Sequence, residues 1–147
     1  MKKSLPVKIE IEEVDSTTHP DTTFFIISFS KETWLDIGSS SMLNDKLEEL
    51  LTEGHIHIII NMKNISYISS AGLGILIGNL QCFRDSNGDI KLTNMSDRTH
   101  HFFEILGFAR LIQIYSSRED AINSFEDDLK DDNSSELKED KNQSDPY

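Results

Sequence analysis

Apolar and polar positions follow two different periods along this chain, and the switches between them mark out its elements. "VKIEIEEV" (Val7–Val14) places Val7, Ile9 and Ile11 between charged residues, the period-two pattern of a half-exposed strand. "TFFIISFS" (Thr23–Ser30) is β-branched and aromatic, and reads as a more buried strand. After "KETWLDIGSSS" the period lengthens. Met42, Leu43, Leu47, Leu50 and Leu51 fall at helical spacing opposite Asp and Glu, with the serines at 39–41 available as caps. "HIHIIINM" (His55–Met62) returns to strand, with Ile56, Ile58 and Ile60 on one face and Ile59 beside the histidines on the other. Helical periodicity resumes from Ala71 to Arg84, "SNGD" marks a turn, and "IKLTN" reads as a short strand. "MSDRTHHFFEILGF" predicts a helix capped at Ser96 or Asp97, with an apolar stripe of Phe102, Phe103, Ile105 and Leu106, ended by Gly107. "LIQIYS" is a last strand, and "SREDAINSF" opens a last helix with a cap and an acidic first turn.

The order is β-β-α-β-α-β-α-β-α. Alternation of strand and helix needs crossover connections, so the later strands are expected to be parallel. The first two, joined by the polar "DSTTHPD", are expected to pair antiparallel. This predicts an α/β fold: a single-layer mixed sheet of four to five strands with about four helices. Residues 1–126 form the domain. From 127 to 147 the chain is polar, acidic and without aromatics until Tyr147, and reads as a disordered tail.

Charge sharpens this picture. The formal net charge is -12, and residues 126–147 supply half of it, with nine acids against three lysines. Phosphate backbones and anionic headgroups attract basic clusters, and the sequence has none, so neither nucleic acid nor a membrane surface is an expected partner. The acidic tail reads as a solvated, solubilising segment, with a basic partner as the other possibility. The single cysteine, Cys82, forms no internal disulfide, "MKKSLPVKIEIEE" has no apolar run after its lysines, and no stretch approaches a spanning length. A cytoplasmic protein is expected.

The candidate chemistry centres on "NISYISSAGLGILIGNL" (Asn64–Leu80), where two serines meet a glycine-punctuated apolar run. They fall between a strand and the next helix, at the carboxyl edge of the sheet, where open α/β sheets place functional surfaces. Ser70 is well placed to be the N-cap of that helix. Ala71, Gly72 and Gly74 around it would leave backbone and hydroxyl open to another protein. Enzyme readings fail on spacing. Ile68 stands where a nucleophile elbow needs glycine, and no histidine and acid follow in triad order. Glycines at 72, 74 and 78 miss the dinucleotide fingerprint, and no Walker loop is present. His55 and His57 share a strand face and His100 and His101 are adjacent on a helix, but nothing nearby completes a metal set, so they read as surface histidines and no cofactor is expected. Trp34 reads equally well as core or as an exposed loop residue.

"NMKNISYISSAGLGILIGNL", "GDIKLTNMSDRTHHFFEILGF" and "LIQIYSSREDAI" together resemble the STAS domain of the bacterial anti-sigma factor antagonists, over about residues 8 to 126. That family's signature is Asp-Ser-Ser/Thr/Ala-Gly-Leu-Gly with the first serine as phosphoacceptor. The resemblance places the acceptor at Ser70, followed by Ala71, Gly72, Leu73 and Gly74, and the family's earlier acid at Asp36. Ser69 stands where most members carry an acid, and the glycine expected before "WLD" is absent or displaced. The resemblance implies partner switching without enzymatic activity. The unmodified protein would bind a GHKL-type serine kinase that is also an anti-sigma factor, phosphorylation would break the complex, and a PP2C-type phosphatase would restore it. A scaffold without the phosphorylation cycle and a small-ligand or nucleotide site at the glycine-rich helix start are the alternatives. The client sigma factor and the oligomeric state are not legible.

Overall fold

Each change of period marks an element, and two short strands appear that no periodicity announced. The computed structural model describes the backbone of residues 7–143 and the side chains of residues 7–131. In chain order the elements are β1 (Ile9–Asp15), β2 (Thr23–Phe29), β3 (Thr33–Leu35), α1 (Ile37–Thr52), β4 (His57–Asn61), β5 (Ile65–Ile68), α2 (Ser70–Asp85), β6 (Asp89–Thr93), α3 (Asp97–Ile105), β7 (Gln113–Tyr115) and α4 (Arg118–Gln143). A single 3-10 turn, Phe108–Arg110, links α3 to β7. Five strands form a mixed sheet in the order β1-β2-β4-β6-β7. β1 runs antiparallel to β2, and every later pairing is parallel. The expected fold class is the observed one.

β2 has no polar alternation because both of its faces are covered. Phe25, Ile27 and Phe29 join Ile58 and Ile60 in the larger core, against Leu43, Leu47 and Leu50 of α1, Leu73, Leu76, Leu80 and Phe83 of α2 and Phe103 of α3. Phe24, Ile26 and Ile59 face the other way, against Ala121 and Phe125 of α4. β3 and β5 make a separate two-stranded parallel sheet. At three and four residues they are too short to show a period, which is why the sequence hid them.

Two expectations about α1 and α3 change. The cap of α1 is Asp36, not one of the serines at 39–41, because Asp36 keeps extended backbone while Ser39 is already in the first turn. In α3, capped by Ser96 as expected, only Phe103 of the predicted stripe is buried; Phe102, Ile105 and Leu106 are exposed. Phe103 reaches the larger core, and the helix's other apolar residues face outward.

The last helix passes the 126/127 boundary that the sequence suggested. It continues to Gln143, and its described side chains show what ties it down. The Arg118 guanidinium makes two hydrogen bonds of 2.6 Å to the Glu12 carboxylate. Glu126 is buried, and its carboxylate accepts from the Ser16 hydroxyl at 2.5 Å, the Thr17 amide at 2.8 Å, the Thr17 hydroxyl at 3.0 Å and the Thr18 hydroxyl at 2.6 Å. Lys91 of β6 is fully buried, and its ammonium donates to Asp128 and Ser124 at 2.5 Å each, 4.3 Å from the centre of the Phe125 ring. A buried ammonium left without partners would be very costly, and Asp128 supplies its carboxylate while the partly buried Leu129 packs against the cluster of Phe24 and Phe125. Residues 144–147 of the predicted tail lie outside the described residues. Among the described residues no helix is long and apolar enough to cross a membrane.

Candidate functional site

The small β3–β5 sheet builds the site. Its parallel register sets Trp34 beside Tyr67 and Leu35 beside Ile68, so the two chains leave the sheet together and each enters a helix at the next residue or two. Asp36 caps α1 and Ser69 caps α2, which puts two helix N-termini side by side. The Ser69 amide bonds the Leu35 carbonyl at 3.0 Å and locks the two starts together.

Asp36 is held in a capping box. Its carboxylate accepts from the Ser39 amide at 3.1 Å, and the Ser39 hydroxyl accepts from the Asp36 amide at 3.0 Å. The Ser39 amide, then the Ser39 hydroxyl, hold the exposed Asp36 carboxyl below the usual aspartate range, so it is anionic at neutral pH.

The two serines divide the work, and not as the sequence suggested. Ser69, not Ser70, is the N-cap: its hydroxyl accepts from the Gly72 amide at 3.1 Å and donates to the Leu35 carbonyl at 3.1 Å. It can do so because its backbone is extended, whereas Ser70 is the first residue of the helix. Ser70 is exposed, and among the described residues its hydroxyl makes no hydrogen bond. Among the described residues no histidine or carboxylate is hydrogen-bonded to it, as an activated nucleophile would need. What remains is an exposed hydroxyl at the positive end of α2, where an added anion would be favoured.

The small residues that follow have different causes. A Cβ on Gly72 would lie 2.5 Å from the Leu35 carbonyl oxygen, 3.0 Å from the Ile68 side chain and 3.2 Å from the Ser40 hydroxyl, so only glycine fits. Ala71 is half-buried and Leu73 is core. A Cβ on Gly74 or Gly78 would meet nothing within 4 Å. These two therefore bare the outer face of α2, along an open groove of about 500 Å³ shared with Asn44, Glu48 and Leu51 of α1. Asn79, which the sequence reading passed over, is buried and donates at 2.9 Å to both Asn44 and the Ile75 carbonyl, fixing α2 against α1. Its only signal was a polar residue on the apolar face of the helix.

Exposed apolar residues surround the paired helix starts. Ile37 is 76% exposed and Trp34 65%, the latter with its ring 5.4 Å from that of Tyr67. Of the two readings of Trp34, the exposed one holds. The histidines are not paired in space. His55 precedes β4 and stacks on Phe25 at 4.2 Å, while His57 packs edge-on to Phe125 at 5.3 Å on the opposite face of the sheet. Both are half-buried on a central strand and its approach, not at a sheet edge. Among the described residues no cluster of three metal-ligating side chains occurs.

Known proteins resemble this chain in sequence and in fold. The STAS domain profile matches residues 9–121. The anti-sigma-B factor antagonist of Bacillus subtilis (strain 168) is 32% identical over 88 residues, 60% of this chain and 80% of that protein. The anti-sigma-B factor antagonist of Staphylococcus aureus (strain NCTC 8325 / PS 47) is 29% identical over 85 residues, 58% of this chain and 79% of that one. Among solved structures, an anti-sigma factor antagonist from Mycobacterium paratuberculosis superposes with a TM-score of 0.65 at 16% identity, over 81% of this chain and 93% of that one. The phosphorylated Bacillus cell fate determinant SpoIIAA gives 0.59 at 20% identity, over 80% and 99%. At such identities the two structures speak for the fold alone. With the profile spanning most of the chain and the Bacillus subtilis relative matched over most of its length, the chain belongs to the STAS domain family, among the anti-sigma factor antagonists.

Proposed function

We propose that this protein is a partner-switching antagonist whose state is set by phosphorylation of Ser70. Unmodified, it binds a GHKL-type serine kinase that doubles as an anti-sigma factor and so frees that kinase's client. Phosphate on Ser70 breaks the complex, and a PP2C-type phosphatase restores it. The cycle runs in the cytoplasm. The observation that carries this reading is the division between the serines: Ser69 takes the structural hydrogen bonds and Ser70 keeps an exposed, unengaged hydroxyl.

The switch is electrostatic and steric. Phosphoserine carries about -1.5 to -2 charges at neutral pH. At the start of α2 that charge lies at the positive end of the helix dipole, so the domain keeps its fold. The partner meets a dianion beside Asp36 and at the mouth of the bare Gly74–Gly78 face. Partner groups seated there would be repelled or desolvated without compensation. The test is mass spectrometry after incubation with the cognate kinase and ATP, with a single phosphate on Ser70 as the expected product. Phosphate on Ser69, or on neither serine, would contradict the reading.

A scaffold that binds without being phosphorylated is the second reading, favoured by Ser69 itself. Its hydroxyl donates to the Leu35 carbonyl, which the carboxylate of other members cannot do. Binding of the kinase that is indifferent to ATP would favour the scaffold.

A further inference from the structure

An apolar cleft of about 320 Å³ lies between β5 and α3, separate from the hydroxyl of Ser70. Arg98, His101, Phe102 and Ile105 line one wall, at the i, i+3, i+4, i+7 spacing that puts them on a single face of α3. This face is largely open among the described residues: Ile105 is 67% exposed and Phe102 41%. The opposite wall is Ser66, Tyr67 and Ile68 of β5, a strand that among the described residues pairs only with β3, leaving its second edge without a described strand against it. An open strand edge facing a helix is the geometry in which an extended peptide adds to a sheet.

The charge of the cleft says what kind of peptide fits. The chain carries a formal -12, yet no carboxylate lines this cleft, whereas Arg98 and His101 do. Among the described residues Arg98 is in no ion pair. A guanidinium at the rim of an apolar cleft suits a carboxylate, which it can hold with two parallel hydrogen bonds. A second copy of this chain is disfavoured as the occupant, because two molecules of this charge repel.

We propose that the β5–α3 cleft binds an extended, apolar segment of a protein partner, paired as a strand with β5 and carrying a carboxylate that Arg98 holds. Tyr67 and Phe102 receive its apolar side chains. The test needs no kinase, so this inference and the Ser70 reading can fail separately. The full chain, labelled with nitrogen-15, is titrated with a short acetylated peptide of alternating valine and threonine ending in glutamates. Its glutamine and lysine counterparts are titrated alongside. The glutamate peptide is expected to shift the amides of residues 65–68 and 98–105 and to bind most tightly. Arg98→Glu is expected to weaken it about tenfold and to improve the lysine peptide, as loss of a charge-assisted contact requires. That variant places an acid in the first turn of α3, where it suits the helix, so the fold is kept. Equal binding of the three peptides, indifference to Arg98→Glu, or no shift at β5 and α3 at millimolar peptide would overturn the proposal. So would shifts at the same residues that appear on concentrating the protein alone, which would identify a second copy as the occupant.

Discussion

At the scale of single residues, the site contains two glycines that look alike in sequence and differ in space. Gly72 sits under the Leu35 carbonyl, where a methyl group would overlap the backbone, whereas Gly74 faces open solvent. Gly72→Ala is expected to destabilise the domain by about 2 kcal/mol or more, because backbone on both sides must shift. Gly74→Ala is expected to stabilise it by about 0.5–1 kcal/mol through helix propensity. Urea unfolding of the two variants distinguishes them, and equal effects would refute the packing described. The serines make a parallel case. Ser69→Ala removes a cap and should cost about 1 kcal/mol. Ser70→Asp should leave thermal unfolding unchanged or slightly raised, since its charge meets the helix dipole. The sequence made "SSAG" legible as a helix start and Gly72 as part of a motif. It could not assign the cap, because which serine accepts from the Gly72 amide depends on where β5 releases the chain.

At the scale of elements, the strong periods were legible and the short pieces were not. β1, β2, β4 and α2 stand close to where alternation and helical spacing put them, because burial of one or both faces writes itself into the pattern. β3 and β5 are set by their pairing with each other and by the helices they feed, which no local window shows. The α3 stripe was legible as apolar, but periodicity alone does not show that only Phe103 of it is covered. The acids of α4 look in sequence like a solvated face, yet Glu126 and Asp128 each hold buried or partly buried partners. Burial alone would push the Glu126 carboxyl up, but the hydroxyls of Ser16, Thr18 and Thr17 and the Thr17 amide outweigh it and bring it down to about 2, from a usual 4.5. A depressed carboxyl contributes its full stability above the unfolded value and loses it as pH falls through the folded one. Wild type should therefore exceed Glu126→Gln by about 2 kcal/mol at pH 7, with the gap closing between about pH 4.5 and 2. A gap that persists at pH 2 would assign the loss to packing instead. A chain ending at residue 126 should unfold at lower temperature than the full chain, since it loses Asp128 and leaves the Lys91 ammonium buried without its carboxylate. Equal melting temperatures would return the boundary to 126.

At the scale of the whole molecule, the proposed switch site and the last helix belong to different parts of the fold. The two helix starts, the bare face of α2 and the exposed Trp34, Ile37 and Tyr67 are adjacent, while α4 closes the far face of the sheet. The formal charge of -12 sets up repulsion between copies of the chain. A phosphate adds little to that total, so its effect must be local, and the account stands or falls on Ser70. The most direct measurement is calorimetric binding of the wild-type protein, Ser70→Ala and Ser70→Asp to the GHKL-type kinase encoded nearest to it. The account predicts that Ser70→Ala binds like wild type and that Ser70→Asp loses binding by about tenfold or more, as a charge placed inside a contact would cause. Equal affinity of all three forms would contradict it, and would leave Ser70 as a surface residue at the start of a helix in a constitutive scaffold.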